Sequence, residues 1–390
     1  MAVHIPFVTS DDGIQLVAKF YHDSDFVRVP LDRADKFVPR IPSGIKLWLD
    51  SCTDGMDDLA KRHKPDRKNP WFDCLNSLPN FQKVASASFH AKPVVAEVKA
   101  FVNAILDKCA KSKPALITLP QLPVVGDSSR NKLNKMLAEA AGNWKANSDF
   151  RGSLILPLIF KHQQQVNGKT ARTPKVALAE RCYRDSAADG FWVVDADLKD
   201  ESGSGTLMNK RFPAVIGLHE ELNAKISSNV RIAGPYWGLN LLLWAKGLID
   251  YPAIGIGSGF QYFLSGALHG SPPSARLALP PLRRRAVADS SLEKWLASAV
   301  AQLSSSHPAH AEFTSIKSHF ALLKANSKEQ VAQFYKAWFN SIAAVPTAGR
   351  SMALFQDLSA AYALGRALPD LSDSVRRPEA LAEPLMFKCL

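Results

Sequence analysis

Short apolar runs recur along the chain, and each is followed by a stretch whose apolar residues fall at helical spacing. The runs are 27–31 (VRVPL), 45–50 (IKLWLD), 115–122 (ALITLPQL), 153–160 (SLILPLIF), 191–195 (FWVVD), 230–234 (VRIAG) and 253–257 (AIGIG). Helical spacing marks 94–111, 132–144, 176–187, 213–226 and 239–248. Runs that are continuously apolar, rather than alternating, belong to strands covered on both faces. Strands separated by helices pair in parallel through right-handed crossovers. Seven or eight such units predict a (β/α)8-type, TIM-like barrel ahead of an open, doubly wound sheet.

After about residue 270 the texture changes. Residues 271–291 (SPPSARLALPPLRRRAVADSS) are rich in Pro, Ser and Arg and read as a linker or extended arm. From 292 to about 366 the pattern is helical throughout. The expected organisation is a barrel over 1–270, a linker over 271–291 and a helical domain over 292–390. The chain has 390 residues, and a parallel barrel takes roughly 250, so a barrel plus a smaller appendage accounts for the length.

Charge changes the picture. Lys and Arg number 48 against 36 Asp and Glu, a net charge of +12. That excess favours a polyanion as partner, because Lys and Arg meet phosphates while counterions are released. The five cysteines (Cys52, Cys74, Cys109, Cys182, Cys389) are scattered and show no C-x-x-C spacing, which speaks against disulfides and a thiolate zinc site. The first residues lack the basic-then-apolar texture of a signal peptide, and no apolar run reaches the ~20 residues of a membrane span. The expectation is a cytoplasmic protein with no membrane contact.

In parallel barrels the chemistry sits at the C-terminal ends of strands. Asp50 ends its strand, and Asp195 and Asp197 end theirs; Asp189 and Asp250 precede strands and suit capping at the opposite face. A strand-end acid is partly desolvated, which raises its pKa and fits it for acid or base work, although a cap or a partner of a nearby Arg looks the same in sequence. Gly255, Gly257 and Gly259, followed by Phe260 and Gln261, form a loop whose backbone can approach a ligand closely. Tyr236, Trp237, Phe260 and Tyr262 are candidates for stacking on a base, and His162 for contacting substrate. The nucleic-acid backbone would be met by Arg62, Lys64, Arg67, Lys68, Lys210, Arg211, Arg283, Arg284 and Arg285. The chain carries no G-x-S-x-G elbow, P-loop, H-E-x-x-H or zinc-deaminase signature, so no cofactor and no metal is expected.

The segment 45–55 (IKLWLDSCTDG) resembles the apolar strand ending in Asp-Ser of tRNA-guanine transglycosylases and their DNA-acting relatives. Residues 189–195 (DGFWVVD) are similar to that family's Asp-Gly-aromatic strand, and 230–250 to its strand, helix and Gly-x-Asp sequence; order and approximate spacing agree over about 200 residues. The resemblance implies a barrel fold, a catalytic role for Asp50 and a substrate contact from Ser51. It also has departures. Cys52 and Thr53 replace a Gly-Gly, Asp195 and Ala196 replace the glycines that follow the second strand, Tyr251-Pro252-Ala253 offers no acid where the family's nucleophile lies, and its C-terminal Cys/His zinc site has no counterpart.

Losing the nucleophile leaves hydrolysis, which needs one acid to activate water or to stabilise an oxocarbenium-like sugar. The expected function is a DNA glycosylase acting on a modified, flipped-out base, plausibly in phage DNA, as in the hydrolytic relatives found in bacterial phage defence. Asp50 is its key acid, with Asp195 or Asp197 second. The alternatives are base exchange in tRNA or DNA, a non-catalytic nucleic-acid-binding barrel, and an enzyme of a small phosphorylated metabolite.

Overall fold

The structure is a computed structural model. It describes residues 4–62, 67–125, 128–161, 166–198, 205–256, 260, 262–266, 274–371 and 377–389. Lys64, His162, Gly257, Gly259 and Gln261, named above as candidates, lie outside the described residues.

Eight strands close into a parallel barrel: β1 (Ile5–Phe7), β2 (Phe26–Pro30), β3 (Lys46–Asp50), β4 (Leu116–Thr118), β5 (Ser153–Phe160), β6 (Gly190–Asp195), β7 (Val230–Ala233) and β8 (Tyr251–Gly255). Seven coincide with the apolar runs. The eighth, β1, is a three-residue piece that closes the ring by pairing with β2 on one side and with β8 over Ile5–Phe7 on the other. Helices cover the outside, among them Val95–Ala110, Ser128–Asn147 and Lys169–Asp185, whose buried residues recur at helical spacing.

The barrel interior identifies itself by contacts between strands that are not neighbours. Phe7 of β1, Trp48 of β3 and Trp192 of β6 meet edge to face, with ring centroids 5.3–5.5 Å apart; side chains of strands so far apart in the ring can meet only inside it. Each buried indole N–H finds an acceptor, Trp48 Nε1 at Thr118 Oγ1 (2.8 Å) and Trp192 Nε1 at the Gly234 carbonyl (2.7 Å). Side chains alternate along a strand, so the inward set of β3 is Trp48 and Asp50, and that of β2 is Phe26, Arg28 and Pro30. On β6 it is Trp192 and Val194.

His219, in the helix Gly205–Lys225, is fully buried, and neither ring nitrogen has a hydrogen-bond partner among the described residues. Burial, with nearby Arg231 as a smaller cause, pushes its pKa down to about 3. The native ring therefore stays neutral while the unfolded ring takes a proton below its ordinary value. Stability is full above about pH 6.5 and declines as pH falls towards 3, by about 1.4 kcal/mol per pH unit. Urea denaturation of His219→Leu from pH 7 to pH 4 is expected to show a shallower decline than wild type; parallel curves would contradict the assignment.

The chain divides into two compact units, the barrel unit (Met1–Leu198, Ala214–Pro235, Leu248–Gly270) and a second unit (Lys199–Pro213, Tyr236–Gly247, Ser271–Leu390). The expected linker is part of the second unit: β9 (Arg276–Leu279) and β10 (Arg284–Val287) form an antiparallel pair. Leu277, Leu279, Leu282 and Ala286 from this segment are buried with Trp295, Leu296 and Phe313. The Pro and Arg content disguised an apolar alternation. The helices Ser290–Gln302, Pro308–Ser318, Ser327–Ala343, Arg350–Ala367 and Ala382–Cys389 make up most of the rest. Among the described residues no helix is long and apolar enough to cross a membrane.

Candidate active site at the barrel mouth

A cavity of about 400 Å³ opens at the C-terminal ends of β1, β2, β3 and β8. Its wall is made by the residues that follow each strand: Thr9 and Ser10 after β1, Asp32 and Arg33 after β2, Cys52 after β3, and Gly255, Ile256 and residues 262–266 after β8. Phe7 and Arg28 reach it from inside the barrel, and Trp71 borders it from the long connection after β3. This end of a parallel barrel is where side chains from several strands converge on one space.

The floor is an ion pair. Arg28 interrupts the apolar run VRVPL at an inward position, and its Nε and Nη2 both donate to Asp50 Oδ2, the former at 2.9 Å. The other carboxylate oxygen of Asp50 accepts from the Cys52 backbone N–H at 3.1 Å. Both side chains are almost wholly buried, and the guanidinium lies over the rings of Phe7 and Trp192, 4.8 and 5.9 Å from their centroids. Asp50 is thus at a strand end, as expected, and faces inward, but its carboxylate is spent on Arg28 and the Cys52 backbone and Asp50 is not part of the cavity wall.

Above the floor, backbone and side chains hold the loops in place. Cys52 sits in the left-handed region, with φ 58°, and its carbonyl accepts from Trp71 Nε1 at 2.7 Å. Asp54 Oδ2 accepts from the Tyr262 hydroxyl and from the Ser265 N–H, each at 3.0 Å. Gly55 packs directly beneath Ser265, where a Cβ would collide with the Ser265 carbonyl. Burial, then the nearby Asp50 charge, raises the Asp54 carboxyl above its usual value, and the same two causes push the Cys52 thiol well up. Cys52 is therefore a protonated thiol and a poor nucleophile.

Asp32 is the carboxyl group on the wall among the described lining residues. Burial raises its pKa, against the pull of Arg33 and Arg28, so it keeps its proton above the ordinary carboxylate range. Its side chain retains 12% exposure, and Arg33 Nε lies 3.3 Å from Oδ2. A reachable carboxyl whose pKa is raised is suited to donate a proton.

The other candidates fall elsewhere. The Ser51 hydroxyl is buried, and Ser51 is not among the residues lining the cavity. Asp195 follows Val193 on the outward face of β6, and its Oδ1 accepts from the Asp197 N–H at 3.1 Å, a turn that holds the strand end; Asp197 is exposed. Phe260 is buried away from the wall, whereas its neighbours Tyr262 and Phe263 are on it.

Tyr236 and Trp237 belong to the second unit, where Trp237 is buried against Phe334, Tyr335 and Trp338 and donates to the Arg283 carbonyl. The arginine run is internal too. Arg283 pairs in bidentate fashion with Asp357, Arg284 donates to the carbonyls of Arg377 and Pro378, and Arg285 is buried over Trp237. Arg211 is buried. Arg62 donates to the carbonyls of Leu264 and Ser265, tying down the loop that roofs the cavity. Arg67, Lys68 and Lys210 are exposed. Among the described residues no cluster of His, Cys, Asp and Glu is placed to hold a metal ion.

Arg28, Asp32, Arg33, Asp54 and Trp71 had no place among the sequence candidates. A guanidinium inside an apolar strand run was the available signal for Arg28. Comparison with protein-family models, with characterised proteins and with solved structures found no match.

Proposed function

We propose that the barrel hydrolyses the N-glycosidic bond of a modified base in DNA, with the mouth cavity as the base pocket and Asp32 as the reacting acid. The observation that carries the proposal is that Asp32 is the carboxyl among the described residues lining a cavity walled by Phe7, Trp71, Tyr262 and Phe263, and burial raises its pKa. A space of this volume suits a ligand the size of a nucleoside, and a base turned out of the duplex can stack on such walls. The net charge of +12 and the exposed Arg67, Lys68 and Lys210 support a polyanionic substrate.

Asp32 donates its proton to the departing base as the bond to the sugar C1′ breaks. Water then adds its hydroxyl to C1′, and its remaining proton returns to the Asp32 carboxylate. Covalent base exchange asks for a nucleophile as well as an acid, and the described wall offers one carboxyl group. Asp50 serves differently: it fixes Arg28 in the floor.

The test is mass spectrometry of small molecules released when the protein meets DNA from unmodified and from base-modified phages. Release of a free base from one DNA only, with abasic sites left behind, is the expected result. DNA binding with no release from any DNA would establish a non-catalytic binder instead, and incorporation of an added 7-deazapurine would establish base exchange.

A further inference from the structure

Of the large apolar side chains that stand most exposed among the described residues, Phe263 is the one that lines the cavity, and it is 48% exposed. A single apolar side chain in water is ordinary on a protein surface. What sets this one apart is the bracing around it. Tyr262, the residue before, is buried, packs on Trp192 inside the barrel at 5.2 Å and donates its hydroxyl to Asp54 Oδ2 at 3.0 Å. On the other side the Ser265 N–H donates to the same oxygen at 3.0 Å, and Arg62 Nη1 donates to the carbonyls of Leu264 and Ser265 at 3.2 and 3.0 Å. Gly266, with φ 71°, lies against the Trp71 ring, where a Cβ would collide. The chain is thus fixed on both sides of Phe263, and its neighbours hold the ring at the rim.

The rim is also basic. Arg67 and Lys68 are exposed and run directly into Asn69 and Pro70, which line the cavity. With consecutive Cα atoms about 3.8 Å apart, both side chains start within ~8 Å of a wall residue. An apolar ring and cations together at the mouth of a pocket match one form of DNA. When a base leaves the duplex for a pocket, it opens a gap in the stack at the pocket mouth, and the phosphates that flank it come to the rim. An apolar wedge in that gap offsets part of the stacking lost, and Arg and Lys meet the phosphates. A single strand presents no such gap.

We propose that Phe263 is a wedge that enters duplex DNA at the position the flipped nucleotide leaves, while Arg67 and Lys68 meet the phosphates beside it. This role rests on the base-pocket reading above and adds the form in which the substrate is held, a duplex opened at one step. A ring on a slack loop would fold back onto the barrel; the bracing by Asp54, Arg62 and Trp71 keeps it extended before DNA arrives.

The experiment is fluorescence anisotropy of the full-length protein, at one ionic strength, with an intact duplex, the same duplex carrying one tetrahydrofuran abasic site, and the single strand. The abasic site supplies the gap without the cost of unstacking a base. Wild type is expected to bind the abasic duplex about 5- to 100-fold tighter than the intact one, the range for stacking one aromatic side chain on a base, and the single strand more weakly than the abasic duplex. Phe263→Ala is expected to bring the ratio close to one, and Phe263→Leu, still an apolar wedge, to keep most of it. The wild-type ring is half exposed, so neither change empties the core. Arg67→Ala with Lys68→Ala is expected to weaken both duplexes by a similar factor and to lower the slope of log K against log salt by about 2. A wild-type ratio near one, a ratio that survives in Phe263→Ala, a single strand bound as tightly as the abasic duplex, or an unchanged salt slope in the double variant overturns the proposal. None of these readings needs base release, so the two ideas fail separately. Base release without an abasic preference leaves the glycosylase standing and removes the wedge, whereas an abasic preference that Phe263→Ala abolishes, with no base release from any DNA, does the reverse.

Discussion

Replacing Asp50 by alanine is expected to destabilise the barrel by about 3–5 kcal/mol, because it strips the partner from a buried guanidinium. Arg28 is enclosed by Phe7, Trp192 and the strand ends, with the cavity on one side. Asp50→Asn keeps the shape and the Cys52 N–H contact but not the charge, and falls in the same direction. The pair replaced together, Arg28→Met with Asp50→Leu, is expected to recover most of that loss, since the cost lies in the orphaned charge and not in the missing pair. Urea denaturation followed by near-ultraviolet circular dichroism measures all three. If Asp50→Asn kept wild-type stability and lost base release alone, Asp50 would be the reacting acid and the assignment to Asp32 would fall.

Asp32→Asn is expected to cut base release by about 100- to 10,000-fold, the range for removing a positioned general acid, while DNA affinity and the folded state persist. The pH dependence follows from the direction of the Asp32 shift. The acid form does the work, so the rate is full below the raised pKa and falls about tenfold per pH unit above it. Folding responds with the same sign: ionising a carboxyl whose folded pKa lies above its unfolded value costs stability, which therefore declines as pH rises through the interval between the two. The asparagine variant should lose both slopes. A single-turnover rate equal to wild type across pH 5–8 would remove Asp32 from the mechanism.

Much of the barrel was legible because buried parallel strands leave continuous apolar runs, and seven of the eight did so. β1 escaped because three residues, Ile5, Pro6 and Phe7, carry no periodicity; what makes them a strand is the pairing of the ring on both sides. The rule that strand-end acids gather at one mouth led to Asp50, yet a sequence does not say which acid keeps a free carboxyl. That depends on Arg28 standing one strand away in register, two residues short of the Pro30 position that faces Asp50. Asp32 lies two residues past its strand and showed no pattern at all. The aromatic pair Tyr236 and Trp237 and the arginines at 283–285 matched the composition of a nucleic-acid surface, but apolar helices of the second unit enclose them, and composition alone does not reveal enclosure.

The indole pair inside the barrel gives this molecule an optical handle on its own site. Trp48 and Trp192 lie 5.3 Å apart at 88°, close enough for their excited states to couple, and Trp192 also touches Tyr262 at 5.2 Å and lies beneath Arg28. A ligand that shifts the guanidinium or the tyrosine alters the electric field on one indole before anything on the outer surface moves. Occupancy of the cavity should therefore be visible as a change in the ellipticity of the unlabelled protein near 290 nm, and the change should vanish in Trp192→Phe.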